Sequence, residues 1–368
     1  MTESDPLPTS PLHDVQKQGL LAFGEVDGWL MPRVYENIKM EYLSAKGTVG
    51  VMDRSHYGRL RVSGAKRFDL LNRLTTNDLR SIGPGQGTRT SLLTDKGRII
   101  DDLRLTSRDD SYLLITSPGN QVRVKETVEK LRFRDDVILE DVTRATAMIS
   151  LFGPQSARLL ESVARAHHIA DLPPHHNVEL SIDGAGLTAS RSVDLGGLAF
   201  DLTAQADVAP RIWTALLERG GPYGVSPLGE EAWEILRVEA GMPRFGRELT
   251  EEHNPLEARL DDSISWTKGC YVGQEVVARL DSRQKVARLL VGLWLEPGPV
   301  PDAGSPILAG VAAAETGRLT SVVPSLDLRR VIGLGYVRNE HSAPGTRLVV
   351  ASQEDRVDAE VAALPFRK

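Results

Sequence analysis

One cysteine stands in the chain, Cys270, within the run Lys268-Gly269-Cys270-Tyr271-Val272-Gly273-Gln274-Glu275. A cysteine does chemistry as the thiolate, which nearby positive charge and a helix N-terminus both favour. Lys268 lies two residues upstream. A helix is predicted over residues 274–280, with Val276, Val277 and Leu280 on one face. Gly269 and Gly273 bracket the thiol in a loop, because glycine adopts backbone angles closed to other residues. A reactive thiol is one reading, and a small side chain packed in a tight turn is the other.

The second candidate is the carboxylate pair Asp101-Asp102, in Gly97-Arg98-Ile99-Ile100-Asp101-Asp102-Leu103. Neighbours on a strand face opposite ways. Asp101 therefore shares an apolar face with Ile99, Leu103 and Leu105, while Asp102 joins Ile100, Arg104 and Thr106 on a mixed face. A buried carboxylate is costly without a partner, so Asp101 needs a hydrogen bond or a place near the strand edge. Asp102 suits a polar cavity, where it would orient a ligand, stabilise a developing cation or move protons. Its alternative is a solvated strand residue paired with Arg104.

Other polar groups carry less. His167, His168, His175 and His176 are split by Pro173-Pro174 and joined by no cysteine, so no metal site is expected. His56 reads as a hydrogen-bonding residue of a turn. Gly83-Pro84-Gly85-Gln86-Gly87 has no strand leading in and no helix leading out, which excludes a dinucleotide loop.

The elements that must hold these groups follow from length and periodicity. At 368 residues the chain is long for one core, and two or three domains are expected. A net charge of -6 argues against broad nucleic-acid binding. The single cysteine allows no internal disulfide, and no apolar run approaches a membrane span, so a cytoplasmic location is expected. Residues 1–20 read as a loose tail with three prolines. A strand around Leu60 and Val62 and a helix through Phe68, Leu71 and Leu74 follow. Residues 90–94 and 98–106 form a hairpin over Asp95-Lys96-Gly97. Helices are predicted over 121–132, 210–219 and 230–240. Five short runs, 289–295, 318–322, 331–337, 346–350 and 357–361, separated by Gly and Pro, suggest a small antiparallel barrel.

The Lys-Gly-Cys-Tyr-x-Gly-Gln-Glu run resembles the signature of the YgfZ family, folate-binding proteins implicated in iron-sulfur cluster maintenance. They share their fold with the T-protein (aminomethyltransferase) of glycine cleavage. Leu236-Arg237-Val238-Glu239-Ala240-Gly241 and Asn254-Pro255-Leu256-Glu257 resemble stretches of both families. Val49-Gly50-Val51-Met52-Asp53-Arg54-Ser55-His56-Tyr57-Gly58 resembles the opening of the T-protein folate domain, Leu151-Phe152-Gly153-Pro154-Gln155 its second half, and Leu364-Pro365-Phe366 the end of the barrel. The resemblance covers residues 40–368 and implies an α+β fold, two sheet-and-helix halves plus a C-terminal antiparallel β-barrel. The implied segments are a tail at 1–20, first half 21–145, second half 146–285 and barrel 286–368.

The resemblance also implies a ligand, tetrahydrofolate or a derivative. Asp102, beside Asp101, matches the T-protein aspartate that contacts folate. Arg191 is kept, Asp194 stands where that family has a tyrosine, and Asp201 replaces the glutamate that helps hold the pterin ring. Such a carboxylate accepts two parallel hydrogen bonds from an amino-pyrimidine edge. Trp233 stands where the T-protein has an arginine. The implied function is folate binding in support of iron-sulfur cluster assembly or repair in client enzymes, tRNA-modifying radical enzymes included. Cys270, with Lys268 as its charge partner, would act transiently, because one cysteine does not hold a cluster. Gly269, Tyr271, Gly273, Gln274 and Glu275 would form the motif around it. The expected partners are folate and iron-sulfur clients or assembly factors, with no nucleic acid, no membrane and no independent turnover. Two alternatives stand: a folate-dependent aminomethyltransferase, and a non-catalytic folate-sensing scaffold.

Overall fold

The computed structural model describes residues 6–282, 286–310, 314–352 and 355–366. Two units divide the chain: Met1–Asn72, Leu79–Arg89 and Leu103–Trp233 form one, and Arg73–Asp78, Thr90–Asp102 and Glu234–Lys368 the other.

The first unit opens on α1 (His13–Gln16), the hairpin β1 (Ala22–Val26) and β2 (Trp29–Val34), and α2 (Ile38–Gly47). Asn37 starts α2 by accepting the free backbone N–H groups of Lys39 and Met40 on its side chain. Then come β3 (Val49–Asp53), β4 (Tyr57–Ser63) and α3 (Arg67–Leu74). Next are β5 (Gly87–Leu93), β6 (Ile99–Ser107), β7 (Ser111–Pro118), α4 (Gln121–Leu131) and β8 (Ile138–Asp141). β5 to β8 and β4 make a five-stranded sheet in the order β5-β6-β7-β4-β8.

The second half of this unit runs through β9 (Thr146–Phe152), α5 (Ser156–Ala164), β10 (Asn177–Ile182), β11 (Ala185–Ser192), β12 (Ala199–Gln205), α6 (Ala209–Arg219) and β13 (Val225–Pro227). Its six-stranded sheet is ordered β10-β11-β12-β9-β3-β13, with β13 parallel to β3. Leu159, Leu160 and Val163 of α5 and Ile212, Trp213 and Leu216 of α6 recur at helical spacing and share one core with Val51, Ile149, Leu151 and Leu202 of the sheet. Leu12 joins that core, and Gln16 donates to the buried Asp53 at 2.9 Å. The segment expected as a loose tail, described from residue 6, thus places one apolar side chain in the core and one amide on a buried carboxyl group.

α7 (Glu230–Glu239) and α8 (Gln274–Ser282) precede the barrel of the second unit. Its strands are β14 (Arg288–Leu295), β15 (Pro306–Leu308), β16 (Glu315–Ser325), β17 (Arg330–Arg338), β18 (Arg347–Ser352) and β19 (Asp355–Ala362), closed in the order β14-β17-β16-β15-β18-β19. Closure leaves no strand edge unpaired. Alternate residues, among them Leu293, Leu319, Val350 and Val361, fill the interior. Five of the strands follow the predicted runs. β15 escaped prediction because three residues are too few to show alternation. Gly292 is required on β14, since a Cβ there would come within 2.8 Å of Phe366 and 3.0 Å of Leu364.

A buried ion network ties α7 to the barrel. Arg237 donates to Glu248 at 3.2 Å, to Ser321 Oγ at 2.5 Å and to both carboxylate oxygens of Glu234, one of them at 2.8 Å. Glu234 also receives Arg247 at 2.5 Å and Arg244 at 3.2 Å. Among the described residues no helix is long and apolar enough to cross a membrane.

Candidate functional site

Asp102 is half-buried near the start of β6, on the Thr90–Asp102 stretch that counts to the second unit. Its Oδ1 accepts hydrogen bonds from Ser263 Oγ at 2.7 Å and Ser91 Oγ at 3.2 Å. Thr76 positions both serines: its hydroxyl donates to the Ser263 carbonyl at 2.5 Å and accepts the Ser91 N–H at 2.8 Å. Two hydroxyls on one carboxylate oxygen fix its orientation. Asp101 points the other way, as alternation requires, and is 0% exposed. Its Oδ1 accepts the Asp102 N–H at 2.8 Å. Asp101, wholly buried, thus stands apart from the half-buried Asp102.

The cysteine loop supports the same segment of chain. The Lys268 ammonium donates to the carbonyls of Thr75 at 2.7 Å and Asn77 at 2.6 Å, on either side of Thr76. That employment differs from the charge partner expected for Cys270. Cys270 is a free, exposed cysteine four residues ahead of α8. Tyr271 is buried under the Lys268 amine, 5.6 Å from the ring centre, and burial raises its pKa. Gly273, at φ +82°, lies against the tip of the hairpin: a Cβ there would stand 2.6 Å from the Thr94 carbonyl and 3.0 Å from Gly97 Cα. The Tyr271 N–H reaches Gln274 Oε1 at 3.3 Å, and Glu275 occupies the first turn of α8. Beside Gly269, a Cβ would meet open space.

Arg191 and Asp201 belong to the first unit. Asp201 accepts Arg104 Nη1 at 2.7 Å and Ser150 Oγ at 2.5 Å, with Arg54 Nη1 at 3.8 Å. Asp194 accepts Arg54 Nη1 at 2.7 Å and Arg104 Nη1 at 3.2 Å. Burial pushes the Asp194 carboxyl up, but the Arg104 and Arg54 charges outweigh it and hold the group well below the usual carboxylate range. The Arg54 guanidinium, 0% exposed, lies 4.0 Å from the Tyr57 ring centre and 4.9 Å from that of Trp233. Arg54 thus brings a guanidinium beside Trp233, the position expected to have lost one. Arg191 lies 5.5 Å from the Phe200 ring centre, with Nε and Nη1 buried without a hydrogen bond, and desolvation lowers its pKa.

Asp201, expected to help hold a pterin ring, has both oxygens engaged by the protein, Oδ1 by Ser150 and Oδ2 by Arg104. Arg54, Ser91, Thr76 and Ser263 went unnoticed in the sequence. Only Arg54 carried a signal, as the basic partner of the Asp53-Arg54 pair in the opening segment. His56 is buried edge-on to Tyr57 at 5.0 Å. His168 is exposed and bonds Asp171 at 3.1 Å. Among the described residues no group of three or more His, Cys, Asp and Glu side chains is placed to hold a metal.

Comparison with known proteins decides the family. Residues 12–268 match the GCVT N-terminal domain and residues 288–368 the glycine cleavage T-protein C-terminal barrel domain. The chain belongs to the glycine cleavage T-protein family. It is 31% identical to an aminomethyltransferase of Halalkalibacterium halodurans over 370 residues, covering 100% of this chain and 99% of that one. With an aminomethyltransferase of Streptomyces avermitilis it is 32% identical, covering 92% of each. The crystal structure of aminomethyltransferase T from Bartonella henselae superposes with a TM-score of 0.88 at 26% identity, covering 98% of both chains. The T-protein fold, two sheet-and-helix halves and an antiparallel barrel, is that of this chain.

These likenesses correct the YgfZ identity expected from the cysteine motif, and with it the role in iron-sulfur cluster assembly, the client proteins and the link to tRNA modification. Full-length similarity to aminomethyltransferases outweighs an eight-residue run. The geometry gives that run a local duty, since Lys268 bonds the segment that carries Thr76 and Gly273 lies against the hairpin that carries Asp102.

Proposed function

We propose that this chain is a folate-dependent aminomethyltransferase that moves the one-carbon unit of an aminomethyl group, carried on a lipoyl protein, to tetrahydrofolate, giving methylene-tetrahydrofolate and releasing ammonia and the free lipoyl dithiol. Membership of the T-protein family supports the reaction class. The observation that carries the reading is Asp102: a half-buried carboxyl group with one oxygen held by two serine hydroxyls is oriented and open to approach. Such a group fits an amine-bearing ligand and would stabilise positive charge as it develops on nitrogen. Tetrahydrofolate, when bound, supplies the nitrogen that takes up the carbon. Asp201 and Asp194 fit less well as recognition groups, because arginines already neutralise them. Arg191, with buried N–H groups lacking hydrogen bonds, remains a candidate donor toward the ligand. A cytoplasmic location stays part of the reading, resting on a single cysteine and no internal disulfide.

The test is to mix the purified chain with an aminomethyl-loaded lipoyl carrier and tetrahydrofolate and to follow methylene-tetrahydrofolate. Product whose rate scales with enzyme supports the proposal. No product at high enzyme concentration, with a known T-protein active in parallel, overturns it.

A further inference from the structure

The second unit contains a cavity of about 550 Å³, within the size range of small-molecule sites. Four arginines line it, Arg247, Arg288, Arg318 and Arg338, against two glutamates, Glu252 and Glu315. That excess of positive charge sits in a chain whose net charge is -6. The strand register sharpens the point. Arg288 on β14 is paired directly with Arg338 on β17, and like charges directly opposite one another on a sheet repel. The next strand, β16, places Arg318 opposite Tyr336 on β17.

The acids nearby offset this only in part. Glu315 accepts Arg318 at 3.0 Å, Glu340 stands 3.9 Å from Arg338, and Arg247 is bound to Glu234 at 2.5 Å. Among the described residues Arg288 has no carboxylate within ion-pair distance. The same wall carries a flat platform: the His253 and Tyr336 rings stack with centroids 3.5 Å apart and planes 9° from parallel, and both line the cavity. A fork of guanidinium groups beside an aromatic floor is the chemistry that holds carboxylate or phosphate in two-point hydrogen bonds.

We propose that this cavity binds a small multivalent oxyanion, a compound bearing two or more carboxylate or phosphate groups. The anion bridges Arg288 and Arg338 and relieves their repulsion, and Arg318 closes the third side. This site is independent of the aminomethyl-transfer reading and uses none of its residues.

The test is calorimetric titration of the full chain with sodium pyrophosphate and, separately, with citrate, on wild type, Arg288→Gln, Arg338→Gln and the control Arg158→Gln on α5. The expected result is saturable binding of at least one probe, weakened tenfold or more in the Arg288 and Arg338 variants and unchanged in the control. Pyrophosphate alone assigns phosphate chemistry, citrate alone carboxylate chemistry, and either supports the site. Absence of saturable binding with both probes overturns it, as does equal weakening in the control. Should the arginine variants fail to fold, wild-type thermal unfolding decides. The midpoint should climb with probe concentration and not with sodium chloride at matched ionic strength, and an equal climb in both overturns the site.

Discussion

Arg104 donates from one nitrogen, Nη1, to Asp201 at 2.7 Å and to Asp194 at 3.2 Å, so a single cation serves two buried carboxylates. Arg54 completes the set, and the four charges cancel without a ligand. Arg104→Ala leaves Arg54 as the guanidinium bonded to Asp194 and 3.8 Å from Asp201. Removing one partner of a buried pair costs about 3–5 kcal/mol, and urea unfolding at neutral pH should show a loss of that size.

Asp102→Asn keeps the shape of the side chain and its serine contacts but removes the charge. Loss of an acid-base or charge-stabilising group typically lowers rate by about 10²–10⁴-fold. Product formation should fall by that factor while the unfolding midpoint moves little. Activity at the wild-type level would remove Asp102 from the proposed reaction.

Thr76 touches neither acid, yet it carries the backbone of both serines that hold Asp102. Thr76→Val strands the buried Ser91 N–H, at a cost of about 1–3 kcal/mol. We expect a several-fold fall in kcat together with that destabilisation, and recovery of both in Thr76→Ser, which restores the hydroxyl.

Glu234 sets part of the acid stability of the second unit. Burial raises its pKa, but the Arg237 hydrogen bond and the Arg237, Arg247 and Arg244 charges outweigh it and hold the carboxyl at about 2, against 4.5 unperturbed. A depressed carboxylate stabilises the fold above the unfolded value and loses that contribution as pH falls through the folded one. The shift corresponds to about 3 kcal/mol, present near neutrality and lost from about pH 4.5 down to about pH 2. The stability gap between wild type and Glu234→Gln should therefore narrow between pH 6 and pH 3. A gap constant over that interval would assign the network no titrating role.

Cys270 is exposed, and its neighbours rather than its sulfur make the loop contacts. Native protein should react with a thiol reagent at one equivalent without prior unfolding. Cys270→Ser should keep transferase activity within about twofold and stability within about 0.5 kcal/mol. By contrast, Gly273→Ala should cost stability, since its Cβ would press on the Thr94 carbonyl.

Strand alternation alone separated Asp101 from Asp102, and the structure puts the first inside and the second half-open, because the pleat allows nothing else. The barrel was legible for the same reason, except at β15, where three residues carry no period. Local pattern says nothing of partners brought from afar. Asp201 reads as an open acceptor until Arg104, 97 residues earlier, and Ser150, 51 residues earlier, are folded onto it. The cysteine motif marked a segment that matters, but its glycine serves the hairpin and its lysine the backbone on either side of Thr76, a duty that only the assembled fold displays. Leu12 was lost among prolines, since one apolar residue has no periodicity to announce it.

The second unit takes Arg73–Asp78 and Thr90–Asp102 from early in the chain and everything else from Glu234 onward. During synthesis the strand bearing Asp102 leaves the ribosome more than a hundred residues before Ser263 does. The unit that houses the candidate carboxylate is therefore assembled last, from its oldest and newest parts, and a fragment starting at residue 234 would lack the aspartate its serine is placed to hold.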